Sequence, residues 1–156
     1  MSEGKKSASW LRPIVALTAI SLLVCGFMFP LVVTGIAQIA FPYQANGSQV
    51  QLGNRTVGSV YIDNGFTLPI FFQGRNESNP QTASASGVDP DISYSDALSQ
   101  VSGIHNATGI PTAALTALVK SHEQLTLWIG GDPYVNVLEL NLALIGEFPS
   151  VYAAYG

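Results

Sequence analysis

The longest pattern along the chain is an uncharged one. From Pro13 to Asn54 there is no Asp, Glu, Lys or Arg, and Ile14 to Phe41 is apolar except for Thr18, Ser21, Thr34 and Gln38. As a helix rising about 1.5 Å per residue, such a stretch reaches about 40 Å, more than the roughly 30 Å of a hydrocarbon core. It predicts one tilted membrane crossing, assigned to residues 13–36. Pro30 lies inside it, and its missing N–H and ring clash predict a kink or an end to the spanning part. In membranes, neighbouring helices commonly compensate such a break.

After residue 40 the period of the pattern changes. Val50 and Leu52, the dipeptide Gly53-Asn54 and then Val57 to Ile62 predict a hairpin closed by a two-residue glycine turn. Asn46-Gly47 and Asn64-Gly65 mark two more turns, and Phe66 to Phe72 is an apolar run broken by Pro69. Helical spacing follows. Ser93 with Asp96 forms a capping box, and Ala97, Val101 and Ile104 share one face of the helix it opens, which Gly103 is expected to end or weaken. Pro111 suits the first turn of a second helix with the stripe Ala114, Leu115, Leu118 and Val119. Val135 to Leu144 fits both periods and is read as a short strand at Val135 to Val137 running into a helix. The expected fold class is α+β: one N-terminal transmembrane helix, then a small extracytoplasmic domain of short strands and two to three helices over residues 37–156.

Charge gives this layout a direction. Only 10% of the 156 residues are charged, the mean hydropathy is +0.31 and the net charge is -4, whereas a soluble domain carries about a quarter charged residues. Lys5, Lys6 and Arg12 precede the apolar segment against Glu3 alone, and nine acids face three bases after it. The positive-inside rule then places residues 1–12 in the cytoplasm and the domain outside the cell membrane. A cleaved signal peptide, with Gly35-Ile36-Ala37 as its cleavage site, would need an apolar region of only about 7 to 15 residues. Leu22 to Cys25 resembles a lipoprotein acylation box, but Val24 stands where a small residue is expected and the apolar run continues. A single cysteine excludes an internal disulfide framework. The acidic outer domain would raise the local concentration of cations.

The hydroxyl-rich stretch TASASGVDPDIS, Thr82 to Ser93, is the first candidate for chemistry. A serine hydrolase could draw on Ser84 or Ser86, His105 or His122, and Asp89 or Asp91, but the G-x-S-x-G elbow is missing. Asp89-Pro90-Asp91 lacks the further spaced oxygen ligands of a calcium loop, and a turn leading into a cap at Ser93 accounts for it without a ligand. The histidines are not spaced to share a helix face, and there is no phosphate-binding loop and no basic patch for nucleic acid. Four glycosylation sequons begin at Asn46, Asn54, Asn76 and Asn106, where chance would give about one.

The stretches FPYQANGS (Phe41 to Ser48), GSVYIDNGFTLPIFFQGR (Gly58 to Arg75), TASASGVDPDIS and PYVNVLELNLAL (Pro133 to Leu144), in this order after one membrane helix, resemble the KdpC family. These are the C subunits of the potassium-transporting Kdp ATPase, and the resemblance covers nearly the whole chain. It implies a non-catalytic accessory subunit of a high-affinity, ATP-driven potassium uptake pump. Its implied partners are a channel-like potassium-conducting subunit and a P-type ATPase subunit, besides the lipid bilayer.

The implied role is in assembly and stability, with a second description as a catalytic chaperone that raises the ATP affinity of the ATPase subunit. No cofactor site of its own is visible, and ATP and K+ belong to the complex. By resemblance, the structural or partner-contacting positions are Gln44, Asn46, Gly47, Ser48, Gly74, Arg75, Ser84, Ser86, Gly87, Asp89, Pro90, Asn136, Glu139 and Asn141. The last three are polar residues within an apolar run and are expected to be satisfied inside the domain. The chain departs from the family between Arg75 and Ser84, where a longer segment is usual, and it lacks the basic run of the following helix. The alternatives from other classes are a membrane-anchored extracellular serine hydrolase and a pilin-like filament subunit, the latter lacking the usual glutamate near the start of the apolar segment.

Overall fold

The computed structural model describes residues 10–76, 83–125 and 130–155. Glu3, Lys5 and Lys6, and Thr82 at the head of the hydroxyl-rich stretch, lie outside these residues. The chain divides after Asn46 into two compact units.

The first unit is built on one helix, Leu11–Ala40, 30 residues with a mean hydropathy of 2.4, long and apolar enough to cross a membrane. It consists of α1 (Leu11–Leu23), a π-helical turn (Val24–Met28) and α2 (Phe29–Ala40), and none of these segments has a buried residue. Pro30 does not end it. A proline ring collides with the carbonyl four residues back, here Gly26, and the helix is widened around that residue. The Phe29 N–H bonds the Val24 carbonyl, five residues back, so an extra residue in the turn makes room for the ring. A short α3 (Pro42–Ala45) follows.

The second unit opens with the expected hairpin. Strands β1 (Gln49–Leu52) and β2 (Arg55–Ser59) pair antiparallel around Gly53-Asn54, with Gly53 at φ +60°. The register passes from Val50 opposite Gly58 to Gln51 opposite Thr56, leaving Val57 as a bulge. Strand β2 stops at Ser59, short of the expected Ile62, because Asn64 folds back onto it. The Asn64 carboxamide accepts from the Ser59 N–H at 3.1 Å and donates to the carbonyls of Ser59 at 3.1 Å and Ile62 at 2.8 Å. It lies against Gly58 so closely that a Cβ there would overlap it.

Two strand-to-helix junctions organise the remainder. Strand β3 (Asp91–Ser93), not anticipated from the pattern, pairs antiparallel with β4 (Tyr134–Asn136), setting Asp91 opposite Asn136 and Ser93 opposite Tyr134. The last residue of each strand caps the next helix. Ser93 Oγ accepts the Asp96 N–H at 3.1 Å to start α4 (Tyr94–Thr108), and Asn136 Oδ1 accepts the Glu139 N–H at 3.2 Å to start α6 (Val137–Glu147). Gly103 does not stop α4, which runs on to Gly109 at φ +76°. Pro111 is the residue before α5 (Thr112–Ser121), one position earlier than expected.

The core is formed by Ile92 and Val135 of the strand pair, Ala97, Val101 and Ile104 of α4, Leu115, Leu118 and Val119 of α5, and Leu140 and Leu144 of α6. The run Phe66 to Phe72 enters it without regular structure, burying Phe71 and Phe72. The Phe71 ring stacks on Tyr152 at 5.2 Å, and the Tyr152 hydroxyl donates to the Ile70 carbonyl at 2.7 Å. Burial pushes the Tyr152 phenol up to about 12, so it remains a neutral donor.

Two glycines give opposite expectations. Gly58→Ala must displace the Asn64 carboxamide and should cost about 1–3 kcal/mol. Gly103→Ala adds a methyl to open space inside a helix and should stabilise by about 0.5–1 kcal/mol. Thermal unfolding of the full chain in detergent checks both, and equal effects would contradict the packing described.

Candidate functional site

Three segments distant in sequence meet at a seam of polar side chains, and its centre is Asn141. This residue of α6 has no exposed surface. Its Oδ1 accepts the Phe72 N–H at 2.8 Å and its Nδ2 donates to the Phe72 carbonyl at 2.8 Å. A single carboxamide thus satisfies both backbone groups of a buried residue that has no strand partner, as a neighbouring strand would.

One turn earlier, Asn136 joins three more pieces. While its Oδ1 caps α6, its Nδ2 donates to the Val60 carbonyl and to Asp91 Oδ1, both at 2.9 Å. Arg75 completes the opposite side: Nε donates to the Asp91 carbonyl at 2.8 Å and Nη2 lies 3.2 Å from Asp89 Oδ2. Asp89 Oδ1 accepts the Asp91 N–H at 3.1 Å, the Asx turn expected around Pro90. Backbone bonds tighten the junction, from Asp63 N–H to the Val88 carbonyl at 2.9 Å and from Val137 N–H to the Pro90 carbonyl at 3.0 Å. Gly74 lies against the Asp63 carboxylate, which a Cβ there would meet at 3.0 Å. Glu139 Oε2 accepts from Gln124 Nε2 at 3.3 Å.

Asp91 is the strained charge of the seam. Burial pushes its carboxyl above the ordinary 3.8; the Asn136 hydrogen bond opposes this, Asp89 adds to it, Arg75 opposes it and Glu139 adds to it.

The other positions singled out from the sequence lie apart from this centre. Gln44 is exposed in α3. Asn46 Nδ2 donates to the Pro42 carbonyl at 2.7 Å and to Gln38 Oε1 at 3.3 Å. Gly47 and Ser48 have φ of +82° and +48°, Ser48 is buried, and the Gly47 carbonyl accepts from Ser59 Oγ at 2.7 Å. Ser86 Oγ accepts the Val88 N–H at 3.3 Å beside Gly87 at φ +69°, and the Ser84 carbonyl accepts the Gly87 N–H at 3.4 Å.

The histidines serve helix ends. His105 Nδ1 bonds the Ile110 carbonyl at 2.7 Å and His122 Nδ1 bonds the Leu118 carbonyl at 3.0 Å. Among the described residues neither ring bonds Ser86, Asp89 or Asp91, so the base and acid of a hydrolase constellation are not brought together there. Among the described residues no three His, Cys, Asp or Glu side chains gather as metal ligands. Sequence reasoning missed Phe72, Val60 and Asp63, whose backbone groups carry the seam, and Tyr152, which belongs to none of the quoted motifs.

Fold and seam together define a class: a small α+β domain carried on one membrane-length helix, with its polar motif residues used to tie its own segments together. Residues 11–81 and 78–145 match the family model described as "KdpC: K+-transporting ATPase, c chain". The chain belongs to the KdpC family. It is 35% identical to the potassium-transporting ATPase KdpC subunit of Gemmatimonas aurantiaca, over 86% of this chain and 91% of that protein. It is also 35% identical to the KdpC subunit of Bacillus cereus strain B4264, over 90% and 97% respectively. KdpC subunit 2 of Staphylococcus aureus strain Mu50 is 32% identical, over 86% and 97%. The first alignment runs over 181 positions, more than the 156 residues present, so that relative has segments this chain lacks. The family match divides at residues 78–81, inside the interval where the sequence reading placed the shortening.

Asn141→Leu keeps the branched shape of the side chain but leaves the Phe72 N–H and carbonyl buried without partners, and should cost on the order of 3 kcal/mol, read as a lowered Tm. A variant as stable as the parent would contradict the clamp. The pH dependence of Asp91 has a definite sign. Its folded value lies above its unfolded one, so its contribution is fully present below pH 3.8 and is lost as pH rises through the raised value. Asp91→Asn removes that loss. Its Tm relative to the parent should therefore climb with pH above 3.8, and a constant offset would contradict it.

Proposed function

We propose that this chain is a non-catalytic accessory subunit of the Kdp potassium-uptake ATPase and that it supports the assembly and stability of the complex. The observation that carries the reading is the use of Arg75, Asp89, Asp91, Asn136 and Asn141 in bonds within the domain, where they hold its segments together. The proposed partners are a channel-like potassium-conducting subunit and a P-type ATPase subunit, with ATP and K+ handled by them. The surplus of basic residues before the apolar helix supports a cytoplasmic N-terminus, with residues 37–156 outside. On this topology, an effect on ATP affinity would travel as coupling free energy through the membrane helices, reciprocal between the two sites.

The test is affinity purification from native membranes in mild detergent, with identification of companions by mass and an assay of potassium-dependent ATP hydrolysis. Copurification of a P-type ATPase and a channel-like subunit with that activity is expected. Recovery of this chain alone from cells expressing the pump would overturn the proposal.

A further inference from the structure

Of the three sequons that lie wholly within the described residues, the fold leaves the one at Asn54 in the form a glycosyl-transfer enzyme requires, and we propose that Asn54 carries an N-linked oligosaccharide. The inference rests on the outside location proposed above. An acceptor sequon needs a reachable carboxamide and a reachable hydroxyl two residues on, in a surface loop. Asn54 occupies the two-residue turn between β1 and β2, next to Gly53 at φ +60°. Asn54 and Thr56 are both exposed, and neither side chain forms a hydrogen bond among the described residues. A glycan here extends from the tip of a hairpin and displaces no contact of the fold.

The fold closes two of the other sequons. At Asn46 the carboxamide nitrogen is bound to the Pro42 carbonyl and to Gln38, and the Ser48 of that sequon is only 1% exposed. At Asn106 the sequon is wound into α4, and its Thr108 hydroxyl donates to the Ile104 carbonyl at 2.6 Å and accepts the Ile110 N–H at 3.3 Å. The fourth, at Asn76, runs into residue 78, outside the described residues.

The co-reactant is a lipid-phosphate-linked oligosaccharide. The Asn54 Nδ2 attacks the anomeric carbon of its first sugar, a C–N bond forms as the bond from that carbon to the phosphate oxygen breaks, and the nitrogen loses one proton as the lipid phosphate leaves. The amide keeps one N–H. No oxidant or reductant is needed.

The test is peptide mapping by mass spectrometry of the full chain purified from its native membranes, paired with protease digestion of sealed, right-side-out vesicles. The expected result is a hexose-containing mass increment on the peptide bearing Asn54, with occupancy at least several-fold above that at Asn46 and Asn106. Asn54→Gln and Thr56→Ala should each abolish that increment and its gel shift, while Thr56→Ser retains both. A domain cut by external protease whose Asn54 peptide is wholly unmodified would overturn this proposal and leave the topology standing. A domain protected from external protease until the vesicles are opened would overturn both together.

Discussion

The domain depends on the pair of hydrogen bonds by which Asn141 holds Phe72. The aromatic run from Phe66 to Phe72 supplies core side chains but cannot form a regular strand, because Pro69 interrupts it and no strand among the described residues pairs with it. Burying such a run would strand its backbone polar groups, each costing about 1–3 kcal/mol if unpaired. A carboxamide has one acceptor and donors in a fixed plane, matching one backbone N–H and one C=O. With Asn141 in place, Phe72 can enter the core, Phe71 can stack on Tyr152, and Ile70 presents its carbonyl to the Tyr152 hydroxyl.

Asn136 extends the same device to the strand pair. It ends β4, caps α6 and holds both Val60 and Asp91. The hairpin end, the Asp-Pro-Asp turn and the last helix are therefore fixed by one side chain. Asp91 faces that side chain at the cost of desolvation, and Arg75 and Asp89 build a second, charged tie around the same turn. Motif residues with the look of chemistry, acids and amides beside a hydroxyl-rich loop, thus tie the domain's own segments together.

Much of this was legible where the signal is local. Gly53-Asn54 between alternating residues announces the hairpin and Ser93 with Asp96 announces the cap, while Val135 to Leu144, which fits both periods, is a strand running into a helix as read, with the strand one residue earlier, at Tyr134–Asn136. Strand β3 was hidden because it has only three residues and its partner lies more than forty positions on. Gly103 misled because its intrinsic cost in a helix, about 1 kcal/mol, is outweighed by the burial of Val101 and Ile104 on either side. That Asn136 and Asn141 must be satisfied internally followed from their apolar neighbours, whereas their partners are backbone groups that no side-chain pattern reveals. Pro30 was read as a kink or an end of the spanning part; it does not end it, because a π turn accommodates the ring within one continuous helix.

We propose that the polar seam maintains the subunit and takes no part in turnover. The most direct test is to purify the complex from membranes carrying Asn141→Leu and to measure both the yield of assembled complex and the potassium-dependent ATP hydrolysis per assembled complex. A reduced yield with turnover per complex unchanged is expected. A normal yield with turnover lost would contradict it and give the seam a part in the pump cycle.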